Sequence, residues 1–217
     1  YMNLVSYMLL FEKSSLILVP EIALTPQMIE RFKGRFGKDV AVFHSRLSDG
    51  ERYDEWYRVK NDQVKVVIGA RSAIFLPFND LGLIVVDEEH ESSYKSDMNP
   101  KYNTIEVCEY LSLLKNCKVV LGSATPSVVS FYKALKGTYE LIELKKRVNN
   151  GELPNVSIVD MREELKSNNK TMFSRDLYLK IKDRLEKKEQ IILFLNRRGF
   201  SSFVSCRSCG FVFKCNN

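Results

Sequence analysis

No stretch of these 217 residues approaches the roughly 20 consecutive apolar residues that a membrane-spanning helix needs. None has the charged start, apolar centre and small-residue end of a secretory signal. A membrane partner is therefore not expected. The glycine-rich pattern GxxxxGK[ST], in which backbone N–H groups cradle phosphates and a lysine reaches the outermost ones, is also absent. Cysteine is sparse and odd in number, five in all, and three of the five crowd into the last dozen residues, which excludes a disulfide framework and points to a reducing compartment. What is present is a chain with 45% hydrophobic and 28% charged residues, enough to bury the core of one large domain and part of another. The net charge of +6 favours a polyanionic partner.

Apolar runs and helical periodicities alternate along the chain. Strand-like runs fall at 16–19, 40–43, 64–68, 83–86, 119–121, 156–159 and 191–195, with helical stretches at 26–36, 50–60, 104–115, 127–135 and 175–188. Residues 1–11 also carry apolar positions at helical spacing. Such alternation predicts right-handed βαβ units, hence an α/β fold with a parallel sheet flanked by helices. The polar, breaker-rich stretch Asn149-Asn150-Gly151 to Pro154 predicts a linker over 149–155 between a first domain, 1–148, and the start of a second, 156–217.

The most informative junction is Asp87-Glu88-Glu89-His90, directly after Leu83-Ile84-Val85-Val86. A buried parallel strand that ends in consecutive carboxylates delivers them to the carboxyl edge of the sheet, where open α/β folds bind ligands. There Asp87 would hold Mg2+ through its coordinated water, Glu88 would orient or deprotonate the water attacking a γ-phosphate, and His90 would link that site to a second one. The plain alternative is a charged loop after a core strand.

Four further motifs occur in order around this junction: Val19-Pro20-Glu21-Ile22-Ala23-Leu24-Thr25-Pro26-Gln27, Gly69-Ala70-Arg71-Ser72-Ala73-Ile74-Phe75, Gly122-Ser123-Ala124-Thr125-Pro126-Ser127 and Phe194-Leu195-Asn196-Arg197-Arg198-Gly199-Phe200. Together the five closely resemble the ordered motifs of superfamily 2 helicases, specifically the PriA family of bacterial primosomal replication-restart helicases. The resemblance runs through essentially the whole chain. It implies a RecA-like P-loop NTPase fold, present as the first helicase domain and the start of the second. It further implies ATP and Mg2+ as ligands and 3′–5′ movement along forked and single-stranded DNA. Primosome proteins and the single-stranded-DNA-binding protein are the implied partners, and a bacterial cytoplasmic, nucleoid-associated location goes with them. Residues 1–11 resemble the helix that follows the family's phosphate loop, so the chain is expected to begin just after that loop and to be inactive alone. Another superfamily 2 translocase, or a non-catalytic nucleic-acid or zinc-binding adaptor on the same fold, are the alternatives.

Residue by residue, the resemblance assigns Thr25 and Gln27 to the DNA backbone, where Thr25 before Pro26 also marks a plain helix cap. Arg71 beside Ser72 suits one phosphate, or a structural salt bridge. Glu89, His90, Ser123 and Thr125 would couple the ATP site to DNA, since small hydroxyl residues can switch hydrogen-bond partners. Residues 91–103 resemble the aromatic-rich loop with which related helicases sense single strands. In it Tyr94 and Tyr102 would stack on bases or a mobile partner, while Lys95 and Lys101 attract phosphate. Asn103 and Ile105 stand where the family commonly has His and Arg. Asn196, Arg197 and Arg198 would grip a backbone phosphate or an ATP-side carboxylate. Cys206 and Cys209, at CxxC spacing, would serve one structural Zn2+ and Cys215 another, each completed by cysteines beyond Asn217. Cys108 and Cys117 read as packing residues.

Overall fold

The computed structural model describes residues 1–145 and 154–194. Five strands, β1 (Ser14–Leu18), β2 (Val40–Phe43), β3 (Val66–Gly69), β4 (Leu81–Val86) and β5 (Lys118–Leu121), form one sheet in the order β2-β3-β1-β4-β5. Every pairing is parallel. Strands β1 and β4 are buried along their whole length, which is why Leu16–Val19 and Leu83–Val86 read as continuous apolar runs rather than as alternation.

Side chains that alternate along the strands split into two cores. Leu16, Leu18, Val67, Ile84 and Val86 pack with Val59 of helix α3 (Asp49–Lys60) and Cys108 of α4 (Thr104–Lys115). Ile17, Val66, Ile68, Leu83 and Val85 pack with Val5 of α1 (Met2–Leu9) and Phe32 of α2 (Pro26–Phe36). Side-chain caps start the helices that follow strands. Ser48 and Glu51 form a capping box on α3, Asn103 caps α4, and Ser127 caps α5 (Val128–Leu135). Strand β1 begins two residues earlier than its apolar run, because Ser14 and Ser15 are buried in the sheet although their hydroxyls hide them from a hydrophobicity reading.

The chain divides into two compact units, the second beginning at Leu144. In the second, Asp160 caps α6 (Met161–Lys166) and Ser174 caps α7 (Arg175–Glu186). The strands expected at 156–159 and 191–195 are a correction: residues 156–159 and 191–194 form no strand, and Leu195 lies outside the described residues. A strand needs a neighbour for its N–H and C=O groups, and the described residues of this unit supply none. Val156 and Ile158 are accordingly 83% and 95% exposed. Among the described residues no helix is long and apolar enough to cross a membrane.

Candidate functional site

The strand order opens a crevice where the argument from sequence needs one. The chain leaves β1 toward β2 on one side and leaves β4 toward β5 on the other, so connections diverge at the neighbouring carboxyl ends of β1 and β4. Asp87 stands at that point, its N–H donating to the Leu18 carbonyl at 2.8 Å. Its own carbonyl accepts from the Tyr94 hydroxyl at 2.7 Å, and its Oδ1 accepts from the Tyr1 hydroxyl at 2.7 Å. Burial, then the Asp87 hydrogen bond, pushes the Tyr1 phenol above its ordinary pKa, so it stays a donor.

Glu88 has a left-handed backbone with φ of 48°, an uncommon state for a residue with a side chain. That turn separates the fates of the three carboxylates. The Glu88 side chain is 44% exposed, with Oε2 3.6 Å from His90 Nδ1. Glu89 points inward and is 5% exposed. Its Oε1 accepts from the Ser127 backbone N–H at 2.5 Å, and its Oε2 from the Ser127 and Ser130 hydroxyls at 3.1 and 2.9 Å. A negative charge thus sits at the N-terminus of α5, where the free N–H groups and the helix dipole favour it. His90 Nδ1 shares a 2.7 Å hydrogen bond with Ser123 Oγ, donating or accepting according to its tautomer, and Ser123 Oγ accepts from the Thr125 N–H at 3.0 Å. Glu88, His90, Ser123 and Thr125 therefore form one connected line from the end of β4 to the end of β5.

The segment made of the short helix Ser92–Tyr94 and the loop after it differs from its expectation in one residue. Tyr94 is 2% exposed within the core that includes Ile84 and Cys108, so it has no face to offer a base, and its assignment to stacking is corrected. Its ring fills space under the sheet edge while its hydroxyl holds Asp87. Burial, then the Asp87 charge, raises its pKa. Tyr102 remains at the surface of the unit, edge-on to Phe75 at 5.0 Å and beneath the Arg71 guanidinium at 5.6 Å. Arg71 Nη1 donates to the carbonyls of Ser93 and Lys95 at 3.0 and 2.5 Å, which ties the loop to the end of β3 rather than making a salt bridge. Asn103 caps α4 by accepting the Ile105 N–H at 3.1 Å, and Ile105 packs against the core. Those two contacts are the work done here by the residues that depart from the family pattern.

Thr25 Oγ1 accepts the Met28 N–H at 3.3 Å, the plain cap of α2, and Gln27 lies exposed beside it in the first turn. Ser72 sits half-buried in the short helix Arg71–Phe75. Cys108 and Cys117 are buried free thiols, as packing residues should be. Asn196, Arg197, Arg198, Cys206, Cys209 and Cys215 lie outside the described residues. Among the described residues no three His, Cys, Asp or Glu side chains converge as a metal cage. The donor at the strand edge is instead the lone Asp87 carboxylate, which fits Mg2+, an ion that retains waters and is held by one or two carboxylates plus phosphate oxygens. Sequence reasoning missed Tyr1, Ser127 and Ser130, whose partners lie 86, 38 and 41 residues away. No local pattern could have signalled them.

Residues 4–133 match the family model described as DEAD/DEAH box helicase. The chain is 54% identical over 215 residues to replication restart protein PriA of Bacillus subtilis (strain 168), covering 99% of this chain and 27% of that protein. It is 49% identical over 210 residues to replication restart protein PriA of Synechocystis sp., covering 94% of this chain and 25% of that protein. The chain thus spans about a quarter of the length of these curated relatives. A crystal structure of the Pyrococcus furiosus Hef helicase domain is similar at 10% identity over 61% of this chain and 27% of that one, with a TM-score of 0.41, too low to bear on the argument.

Proposed function

The chain belongs to the DEAD/DEAH box helicase family, with a RecA-like parallel sheet, and from that premise we propose that it is the ATP-hydrolysing segment of a DNA helicase of replication restart. The observation that carries this reading is the separation of Asp87, Glu88 and Glu89 at the diverging ends of β1 and β4. One carboxylate is braced at the edge, the next is turned outward, and the third is buried under α5.

In this reading Asp87 holds Mg2+ through coordinated water, and the ion, when bound with ATP, neutralises charge on the transferred phosphoryl group. Glu88, exposed and beside His90, orients the attacking water and takes its proton. Phosphoryl transfer depends chiefly on positioning, which the bracing of Asp87 from three directions supplies. His90 lies within reach of both Glu88 and Ser123, so a change at the phosphate is passed to the Ser123–Thr125 turn by a change of hydrogen-bond partner. Glu89 keeps α5 fixed while that happens.

DNA, forked or single-stranded, lies along the carboxyl edge of the first unit, contacted by Thr25, Gln27, Arg71, Ser72 and Tyr102; Asn196, Arg197 and Arg198 bind DNA as well by the resemblance of their motif. Movement is 3′ to 5′. Primosome proteins and the single-stranded-DNA-binding protein are its partners at the nucleoid. Cys206 and Cys209 serve one structural zinc and Cys215 a second. Support for the DNA reading comes from the excess of basic residues and from Arg71 and Tyr102 lying together at the end of β3.

The test is Glu88→Gln in the full-length protein. Nucleotide binding should stay at the parental level while DNA-stimulated phosphate release falls by about 10²–10⁴, the usual worth of a general base. Parental turnover in that variant would remove Glu88 from the mechanism.

A further inference from the structure

We propose that Tyr1 is a positioning residue for the metal-side carboxylate: its hydroxyl sets the rotation of the Asp87 carboxyl group and so tunes the affinity for the divalent cation. The inference rests on the proposed role of Asp87. The main chain of Asp87 is already held on both sides, by the Leu18 carbonyl and the Tyr94 hydroxyl. Rotation of the side chain is the remaining freedom, and the 2.7 Å bond from Tyr1 to Oδ1 removes it. With the phenol on Oδ1, Oδ2 would be the oxygen left to hold a metal-bound water.

The backbone beside the phenol is shaped for the same contact. A Cβ built on Gly122 would stand 1.9 Å from the Tyr1 hydroxyl oxygen and 3.0 Å from its Cζ, so the phenol occupies a slot that exists only because position 122 has no side chain. Gly122 cannot shift to make room. Its N–H donates to the Val86 carbonyl at 2.8 Å, and its own carbonyl accepts from the Glu89 N–H at 3.0 Å. The backbone on both sides of Asp87 and Glu88 is thus stitched to Gly122, and the slot is as rigid as the sheet edge. Groups that hydrogen-bond a ligating carboxylate typically change metal affinity 10–100-fold when removed.

The experiment uses the full-length protein and follows Mn2+ binding in the presence of ADP by electron paramagnetic resonance, alongside the Mg2+ dependence of DNA-stimulated ATP turnover. Tyr1→Phe should weaken Mn2+ binding about tenfold, in the range for lost partners of metal ligands. The Mg2+ concentration for half-maximal turnover should rise in parallel. Turnover at saturating Mg2+ should recover most of the parental rate, which a general loss of structure would not allow. Gly122→Ala should weaken Mn2+ binding through the clash with the hydroxyl, and adding Tyr1→Phe should make it no worse, because the clashing atom is gone. Unchanged or tighter Mn2+ binding in Tyr1→Phe overturns the proposal, as do strictly additive effects in the double variant. If Gly122→Ala fails to fold, the Tyr1→Phe titration decides alone. Asp87→Asn separates the two levels of argument. Parental Mn2+ affinity there removes the metal role of Asp87 and this inference with it. Weakened affinity there, with none lost in Tyr1→Phe, removes only the inference.

Discussion

Three adjacent acidic residues carry the same kind of group, yet their surroundings give them three different chemistries. Glu89 shows the difference best, because its carboxylate accepts three hydrogen bonds in a site that excludes water. Replacing it with Gln keeps the shape but turns one acceptor atom into a donor facing donors. Glu89→Gln should therefore destabilise the first unit by about 1–3 kcal/mol, the cost of leaving a buried polar group unsatisfied. Urea unfolding measures this, and a change within error of zero would mean that the Ser127 and Ser130 contacts carry no weight. The buried thiols make a second residue-scale case. Burial pushes the Cys108 thiol up to about 12 from an ordinary 9.0. A folded-state value above the unfolded one means that its contribution to stability is intact below pH 9.0 and is lost as the pH climbs toward about 12. Cys108 and Cys117 should resist a thiol reagent in the native protein at neutral pH and react once urea unfolds it; rapid native labelling of either would contradict their burial.

At the scale of elements, what was legible in the sequence was what is local. The cap residue Thr25 was readable because its partner, the Met28 N–H, lies three positions on, and the buried runs at 40–43 and 83–86 because their apolar residues are contiguous. The loop between Tyr94 and α4 was not, since its anchor is Arg71, more than twenty residues upstream. Nor was the burial of Tyr94, because an aromatic in a polar loop carries no mark of which way it faces. The anchor and the cap can be tested together by hydrogen exchange. Arg71→Ala should speed exchange at the Ser96 N–H, which donates to the Tyr102 carbonyl, without affecting β1 or β4. Asn103→Ala should instead fray the first turn of α4 and cost about 1 kcal/mol, the usual value of a lost cap. If Ser96 exchanges at the parental rate in Arg71→Ala, the guanidinium does not hold the loop, and its contact with Tyr102 is incidental.

For the whole molecule, the periodic alternation of strand and helix correctly foretold an open parallel sheet in the first unit and failed among the described residues of the second. The difference is physical. In the first unit each strand has a neighbouring strand, and all buried residues of both cores lie between Val5 and Cys117. In the described part of the second unit, runs of the same composition stand exposed, because composition gives a strand its preference but only a partner gives it a sheet. It follows that residues 1–143 should fold without the rest. A protein of those residues should unfold in one cooperative thermal transition with an enthalpy on the order of 100 kcal/mol, as expected for its length. Its midpoint should lie within a few degrees of that of the same unit in the 217-residue chain. The measurement belongs at low protein concentration, because Val128 and Leu135 of α5 are 86% and 66% exposed and favour self-association. A 1–143 protein that melts gradually, or that lacks the far-ultraviolet signal of an α/β domain, would show that the second unit supplies part of the folding energy that both cores here assign to the first.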